Sequence, residues 1–111
     1  MKRVALADLP DEPVSHDPAI RKRVFLRAGA LAHLTQLAQA RLAPGQVAPV
    51  HAHADMHEVF VVEAGDGVMR VDGRSYALAP GVCVAVEAGE THEIACTGAE
   101  PLVLLYFGLR A

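Results

Sequence analysis

The second half of the chain is cut into short apolar runs by turn-forming residues. EVFVV stops at EAGDG, VMRV at DG, RSYAL at APG, VCVAV at EAGE and THEIAC at TGAEP, and LVLLYFGL follows. The Asp72-Gly73 step is the strongest short hairpin signal, because both residues suit the positive-φ positions of a type I′ turn. Strands at this spacing with Gly or Pro between them predict an all-β sandwich or barrel. No long helical segment follows any of them, which argues against parallel βαβ units.

At 111 residues the chain has room for a single core. Its 52% hydrophobic and 21% charged content suits a domain that folds without a partner. The net charge is −3 and the basic residues are mostly dispersed. Nucleic acid is therefore not an expected partner, since that needs a basic stripe or excess. The one basic cluster, Arg21, Lys22 and Arg23, reads as a solvated strand face. MKRVALADLPDEP lacks an apolar core of signal-peptide length, and no apolar run approaches the roughly 20 residues that span a bilayer. The expectation is a cytoplasmic protein without membrane association. In such a chain Cys83 and Cys96 read as free thiols.

Residues 1–19 are rich in Asp and Pro and read as an N-terminal arm, with a short strand near Val4–Leu6. Residues 20–111 form the domain proper. IRKRVFLRAG alternates Val24 and Leu26 against charged neighbours, as a half-buried or edge strand does. LAHLTQLAQARLAPG is ambiguous. Leu31, Leu34, Ala38 and Leu42 recur at helical spacing among good helix formers, yet the segment runs directly into a strand-like stretch.

PVHAHADMHEV gathers His51, His53 and His57, half of the six histidines, with Glu58 adjacent. On a strand, His51 and His53 share one face with Cα atoms about 6.5 Å apart. Two imidazoles at that spacing can converge on one ion at about 2.1 Å each. Alone, such a pair is a weak signal and equally suits an exposed polar face. Glu58 lies at odd spacing from His53 and would point to the opposite face of an unbroken strand. A turn at Ala54-Asp55-Met56 repairs this. His57 and Glu58 then face opposite sides, and periodicity does not choose between them. His92, after the EAGE turn, meets the cluster if the strands close into a barrel. Three imidazoles and a carboxylate suit Fe(II), Mn(II), Co(II), Ni(II) or Zn(II) better than Ca or Mg.

These residues resemble the two motifs of the cupin superfamily. Gly45, five residues, His51, one residue, His53, four residues, Glu58, six residues and Gly65 fill the first motif. PGVCVAVEAGETH, from Gly81 to His92, is similar to the second. Glu87 stands where that motif usually has proline, and Cys96 where it often has asparagine. The motifs lie 15 residues apart, as in small single-domain members, and the resemblance covers residues 41–107. It implies a double-stranded β-helix, a jelly-roll barrel, and so makes LAHLTQLAQARLAPG a strand. Carried over by position, it makes His51, His53, Glu58 and His92 the ligands of a divalent transition metal. His57 is then a rim residue, and His16 and His33 are structural or surface residues. Gln36, Gln39 and Arg41 are expected near the mouth, and Phe60, Tyr76 and Tyr106 on the wall of a small cavity.

The resemblance leaves the reaction open, because the family includes dioxygenases, decarboxylases, isomerases, lyases and proteins that only bind. A small-molecule metalloenzyme, dioxygenase- or isomerase-like, is one expectation. A non-catalytic module that binds or senses a small ligand is the other. Small cupins are commonly homodimers, and RKRVFLR offers an edge for pairing with a second copy.

Overall fold

A computed structural model describes residues 1–111. Ten strands follow in order: β1 Glu12–Pro13, β2 Arg21–Arg27, β3 Leu34–Leu42, β4 Val47–His51, β5 Met56–Ala64, β6 Gly67–Val71, β7 Arg74–Leu78, β8 Cys83–Val86, β9 His92–Cys96 and β10 Leu102–Arg110. They form a six-stranded sheet in the order β1-β2-β3-β10-β5-β8 and a four-stranded sheet in the order β4-β9-β6-β7. Every pairing is antiparallel. The two sheets face each other as the jelly-roll expectation requires.

The inner faces follow from simple alternation. On β3, Ala38, Ala40 and Leu42 are buried, and on β10 Leu102, Leu104 and Tyr106. On β5 the inward row is Glu58, Phe60 and Val62, and on β9 it is His92, Ile94 and Cys96. Both sheets thus carry apolar rows interrupted at one end by Glu58 and His92. The helical spacing around Leu34–Leu42 is overridden because β3 is a central strand, hydrogen-bonded to β2 on one side and β10 on the other. Backbone pairing on both edges outweighs a helix propensity that sums to little per residue.

The β6–β7 turn places Asp72 at φ 48° and Gly73 at φ 82°, both positive as the hairpin reading requires. The strand expected near Val4–Leu6 is not there. Leu6–Asp8 forms a single 3₁₀ turn, closed by the Asp8 and Leu9 N–H groups on the Ala5 and Leu6 carbonyls. The arm joins the barrel later, where Glu12 and Pro13 pair with Lys22 and Arg21. Cys83 is exposed, Cys96 is buried, and both are free.

Candidate metal centre

The four expected ligand positions arrive from three different places. His51 ends β4 and His92 begins its neighbour β9, so the two are cross-strand partners in the smaller sheet. A register shift between Ala48 and His51 adds one residue to β4 there. That bulge lets Ala48 and His51, at odd spacing, both line the interior. Glu58 belongs to the larger sheet, on β5. Residues 52–55 carry the chain from one sheet to the other, which resolves the parity conflict between His53 and Glu58. His53 sits on that crossing segment.

The imidazole Nε2 atoms of His92, His53 and His51 lie 3.2, 3.5 and 4.0 Å from Glu58 Oε1. At metal–donor distances of about 2.0–2.2 Å, two donors on one ion stand about 3–4.3 Å apart. All three separations fall in that interval. Side-chain exposure rises from 1% at His92 through 9% at Glu58 and 16% at His51 to 25% at His53, so the cluster runs from the barrel interior to its mouth.

Two further observations bear on whether a cation fits. Glu58 Oε1 and His92 Nε2 are buried and 3.2 Å apart, an ion pair when the His92 ring is protonated and two buried acceptors without a hydrogen when it is neutral. Buried polar atoms seldom go unpaired in folded proteins. The Nδ1 atoms, by contrast, are engaged. His51 Nδ1 lies 2.8 Å from the Pro49 carbonyl and His92 Nδ1 3.2 Å from the Glu90 carbonyl. A carbonyl can only accept, so each Nδ1 carries the proton and a neutral ring leaves Nε2 as a lone pair. This is how imidazoles that hold metals are usually oriented. The donor set fits a divalent transition metal.

The charges reinforce each other. Burial alone would raise the Glu58 carboxyl, but the imidazoles of His92, His53 and His51 outweigh it and hold the carboxyl below its ordinary range. Burial would lower His92, but Glu58 and the Glu90 carbonyl hold it above its ordinary value. At His51 burial prevails over the Pro49 hydrogen bond, and the ring is pushed down.

His57 lies outside the cluster. Its Nδ1 accepts the Ala88 N–H at 3.0 Å, tying β5 to the turn before β9. In that turn Glu87, at the position where cupins usually have proline, donates its N–H to Glu90 Oε1 at 2.7 Å. A proline has no N–H to give. The Glu90 N–H also donates to the Glu87 carbonyl at 3.0 Å, so the two residues close the turn reciprocally.

Other expectations are refined or corrected. His16 is an exposed surface residue as expected, but it is drawn to the cluster. Its ring stacks on that of His51 with centroids 4.3 Å apart, and the donor atoms of His16, His51 and His53 lie within 4.8 Å of one another. No spacing rule in the sequence links the arm to β4, so nothing there pointed to it. His33 is exposed in the turn before β3. The basic cluster is not one solvated face: Arg21 pairs with Asp11 at 2.9 Å, while Lys22 lines the cavity. Gln36, Phe60 and Tyr106 line it too. Gln39 and Arg41 open onto a separate surface depression, and Tyr76 is 46% exposed on the edge strand β7.

A two-sheet antiparallel barrel with a His/Glu cluster at one end defines the class of protein: a jelly-roll domain whose interior can hold a metal. The chain belongs to the cupin domain family, whose model matches residues 38–108. No protein with a curated description matches it in sequence. Among solved structures it is similar to a predicted oxalate decarboxylase from Thermotoga maritima, with a TM-score of 0.92, 22% identity, and coverage of 99% of this chain and 100% of that one. It is similar to a sugar phosphate isomerase of the cupin superfamily from Silicibacter pomeroyi, with a TM-score of 0.83, 21% identity, and coverage of 99% and 76%. The polyketide cyclase RemF from Streptomyces resistomycificus gives a TM-score of 0.81, 22% identity, and coverage of 99% and 79%. At these identities the likeness is one of fold.

Proposed function

We propose that this cupin holds one divalent transition metal, Fe, Mn, Ni, Co or Zn, on His51, His53, Glu58 and His92, and acts on a small molecule as a dioxygenase- or isomerase-like enzyme. The observation that carries the reading is the convergence of the Nε2 atoms of His92, His53 and His51 on the buried Glu58 Oε1 at 3.2, 3.5 and 4.0 Å. An ion bound there supplies Lewis acidity or redox chemistry. The chain's own contribution is orientation and exclusion of water. Pro49 and Glu90 fix two of the rings through their carbonyls. Ile20, Leu42, Ile94 and Leu104 give the adjoining cavity apolar walls. The solved relatives are described as a decarboxylase, an isomerase and a cyclase, so the fold does not choose among reactions.

Elemental analysis of purified protein, followed by oxygen-consumption and turnover screens with and without the metal, tests this reading. Metal bound in the wild type and lost in His51→Ala, with turnover lost in parallel, is the expected result. Protein that takes up no metal from a stoichiometric supply contradicts it. A second reading, a non-catalytic module that holds a small ligand, is favoured by the same apolar walls. Prolonged retention of a ligand by the metal-loaded protein without chemical change distinguishes it.

A further inference from the structure

The inner wall of the cavity carries a charge that the metal cluster does not use. Ile20 and Val24 are 1% and 5% exposed, and Lys22 lies between them in the same inward row. A half-buried ammonium therefore interrupts an apolar strand face. Its cross-strand partner on β3 is Ala40, which lines the same cavity. Lys22 Nζ donates to Gln36 Oε1 at 3.2 Å, and Gln36 Nε2 donates to Tyr106 Oη at 3.4 Å. All three side chains line the cavity that His51, His53 and Glu58 also line.

None of the nearby carboxylates forms an ion pair with Lys22. Glu12, on the strand beside Lys22, is held by Arg27 at 2.6 Å. Glu58 faces three imidazoles. Asp17, at the mouth, accepts the Ala19 N–H at 2.9 Å. Lys22 is left with one neutral amide for its three N–H donors. Burial pushes its ammonium down despite the field of Glu12, as expected for a cation whose desolvation is not offset. The Tyr106 hydroxyl, pushed up to about 12 first by burial and then by Glu58, stays protonated near neutrality. It accepts from Gln36 and still has its own hydrogen to donate.

Between this wall and the metal cluster the surface is aromatic. The Phe60 ring stacks on Tyr106 with centroids 5.6 Å apart and stands 6.0 Å from the His92 ring. The cavity is therefore polar at two ends and apolar between them. Its volume is about 140 Å³.

We propose that Lys22, Gln36 and Tyr106 form the recognition site for the carboxylate of a small organic acid, which spans the Phe60 surface and presents a second oxygen function toward His51, His53, Glu58 and His92. The carboxylate answers the unpaired ammonium with a charge-assisted hydrogen bond. The second contact rests on the metal reading given above, whereas the carboxylate anchor does not.

Calorimetric titration of the full chain with malonate and succinate, and with the uncharged malonamide and succinamide, tests this, using metal-free and Mn(II)-loaded protein. Both acids bind wild-type protein, and the amides bind at least about tenfold more weakly. Lys22→Met weakens the acids by about the same factor in both forms, with metal content unchanged, and Lys22→Arg restores most of the loss. Tyr106→Phe, which keeps the ring, weakens the acids severalfold and reads the same wall if Lys22→Met does not fold. Equal binding by wild type and the folded Lys22 and Tyr106 variants overturns the proposal, as do amides that match the acids or a wild type that binds neither acid. If carboxylate binding depends on Lys22 in a chain that takes up no metal, the metal reading fails and this one stands.

Discussion

His51 and His92 face each other across the β4–β9 ladder and are anchored alike. Their ring centroids are 4.2 Å apart, and each Nδ1 rests on the carbonyl two residues upstream, that of Pro49 or Glu90. The shared arrangement fixes both rings from the backbone and turns both Nε2 atoms toward Glu58. It also commits one nitrogen of His51. Two donor triads overlap at this residue, His51–Glu58–His92 inside and His16–His51–His53 at the mouth.

Because His51 has one free lone pair, the two triads cannot be filled together, and the chain should bind a single ion. The inner triad contains the carboxylate and the most buried donors, so the ion is expected there. His16→Ala should leave metal content unchanged. His92→Ala and Glu58→Gln should reduce affinity by more than the roughly 10–100-fold that follows loss of an outer-shell partner. Elemental analysis after dialysis ranks the three variants. The opposite order would place the ion at the mouth.

His57→Ala should separate structure from metal binding. The substitution strips the Ala88 N–H of its acceptor at a partly buried position, which costs about 1 kcal/mol. Metal content should match the wild type while the denaturation midpoint falls. A variant that loses its metal at unchanged stability would contradict the placement of His57.

The turns and strand faces were legible because they are local. Asp72-Gly73 needs no partner to favour its turn, and the inward rows of β5 and β9 follow from alternation. Glu58 was legible only through the cupin resemblance, because a change of sheet at residues 52–55 resets the alternation. His16 was illegible, since an irregular arm carries no periodicity to say where it lands. Lys22 could have been found. Ile20, Lys22 and Val24 form one alternating row, but the neighbouring Arg21 and Arg23 made the charge look like part of a solvated face.

Glu58 also depends on the residue opposite it. Gly108 is its cross-strand partner on β10, and a Cβ added there would collide with Thr35 Oγ1 and press on Met56 Sδ. Gly108→Ala should therefore displace β10 or β3 beside Glu58. Overpacking of this kind costs about 1–3 kcal/mol. Urea denaturation should show that loss, and metal affinity should fall with it. Unchanged stability would mean that Thr35 rotates away freely.

The pH dependence of the metal-free and metal-loaded chains should differ. Glu58 is held below its ordinary value of 4.5, so its stabilising contribution is complete above that value and is lost as pH falls through the lower folded value. His92 is held above 6.5, so its contribution is complete below 6.5 and is lost as pH rises through the higher folded value. His51 is shifted the other way, so it costs stability below its lowered folded value, and that cost is relieved as pH rises to 6.5. The two histidine windows meet at 6.5, so the metal-free chain should be most stable near that pH, losing stability above it through His92 and below it through His51, with a further fall below 4.5 from Glu58. Glu58→Gln should reduce that acid limb, leaving the part due to Glu12, whose carboxyl the Arg27 hydrogen bond also holds low. A metal requires both imidazoles deprotonated, so the increase in Tm on adding Mn(II) should grow as pH rises through the His92 titration. Thermal melts between about pH 3 and 8, with and without chelator, check both limbs. An increment that is flat with pH would mean that the ion does not compete with the His92 proton.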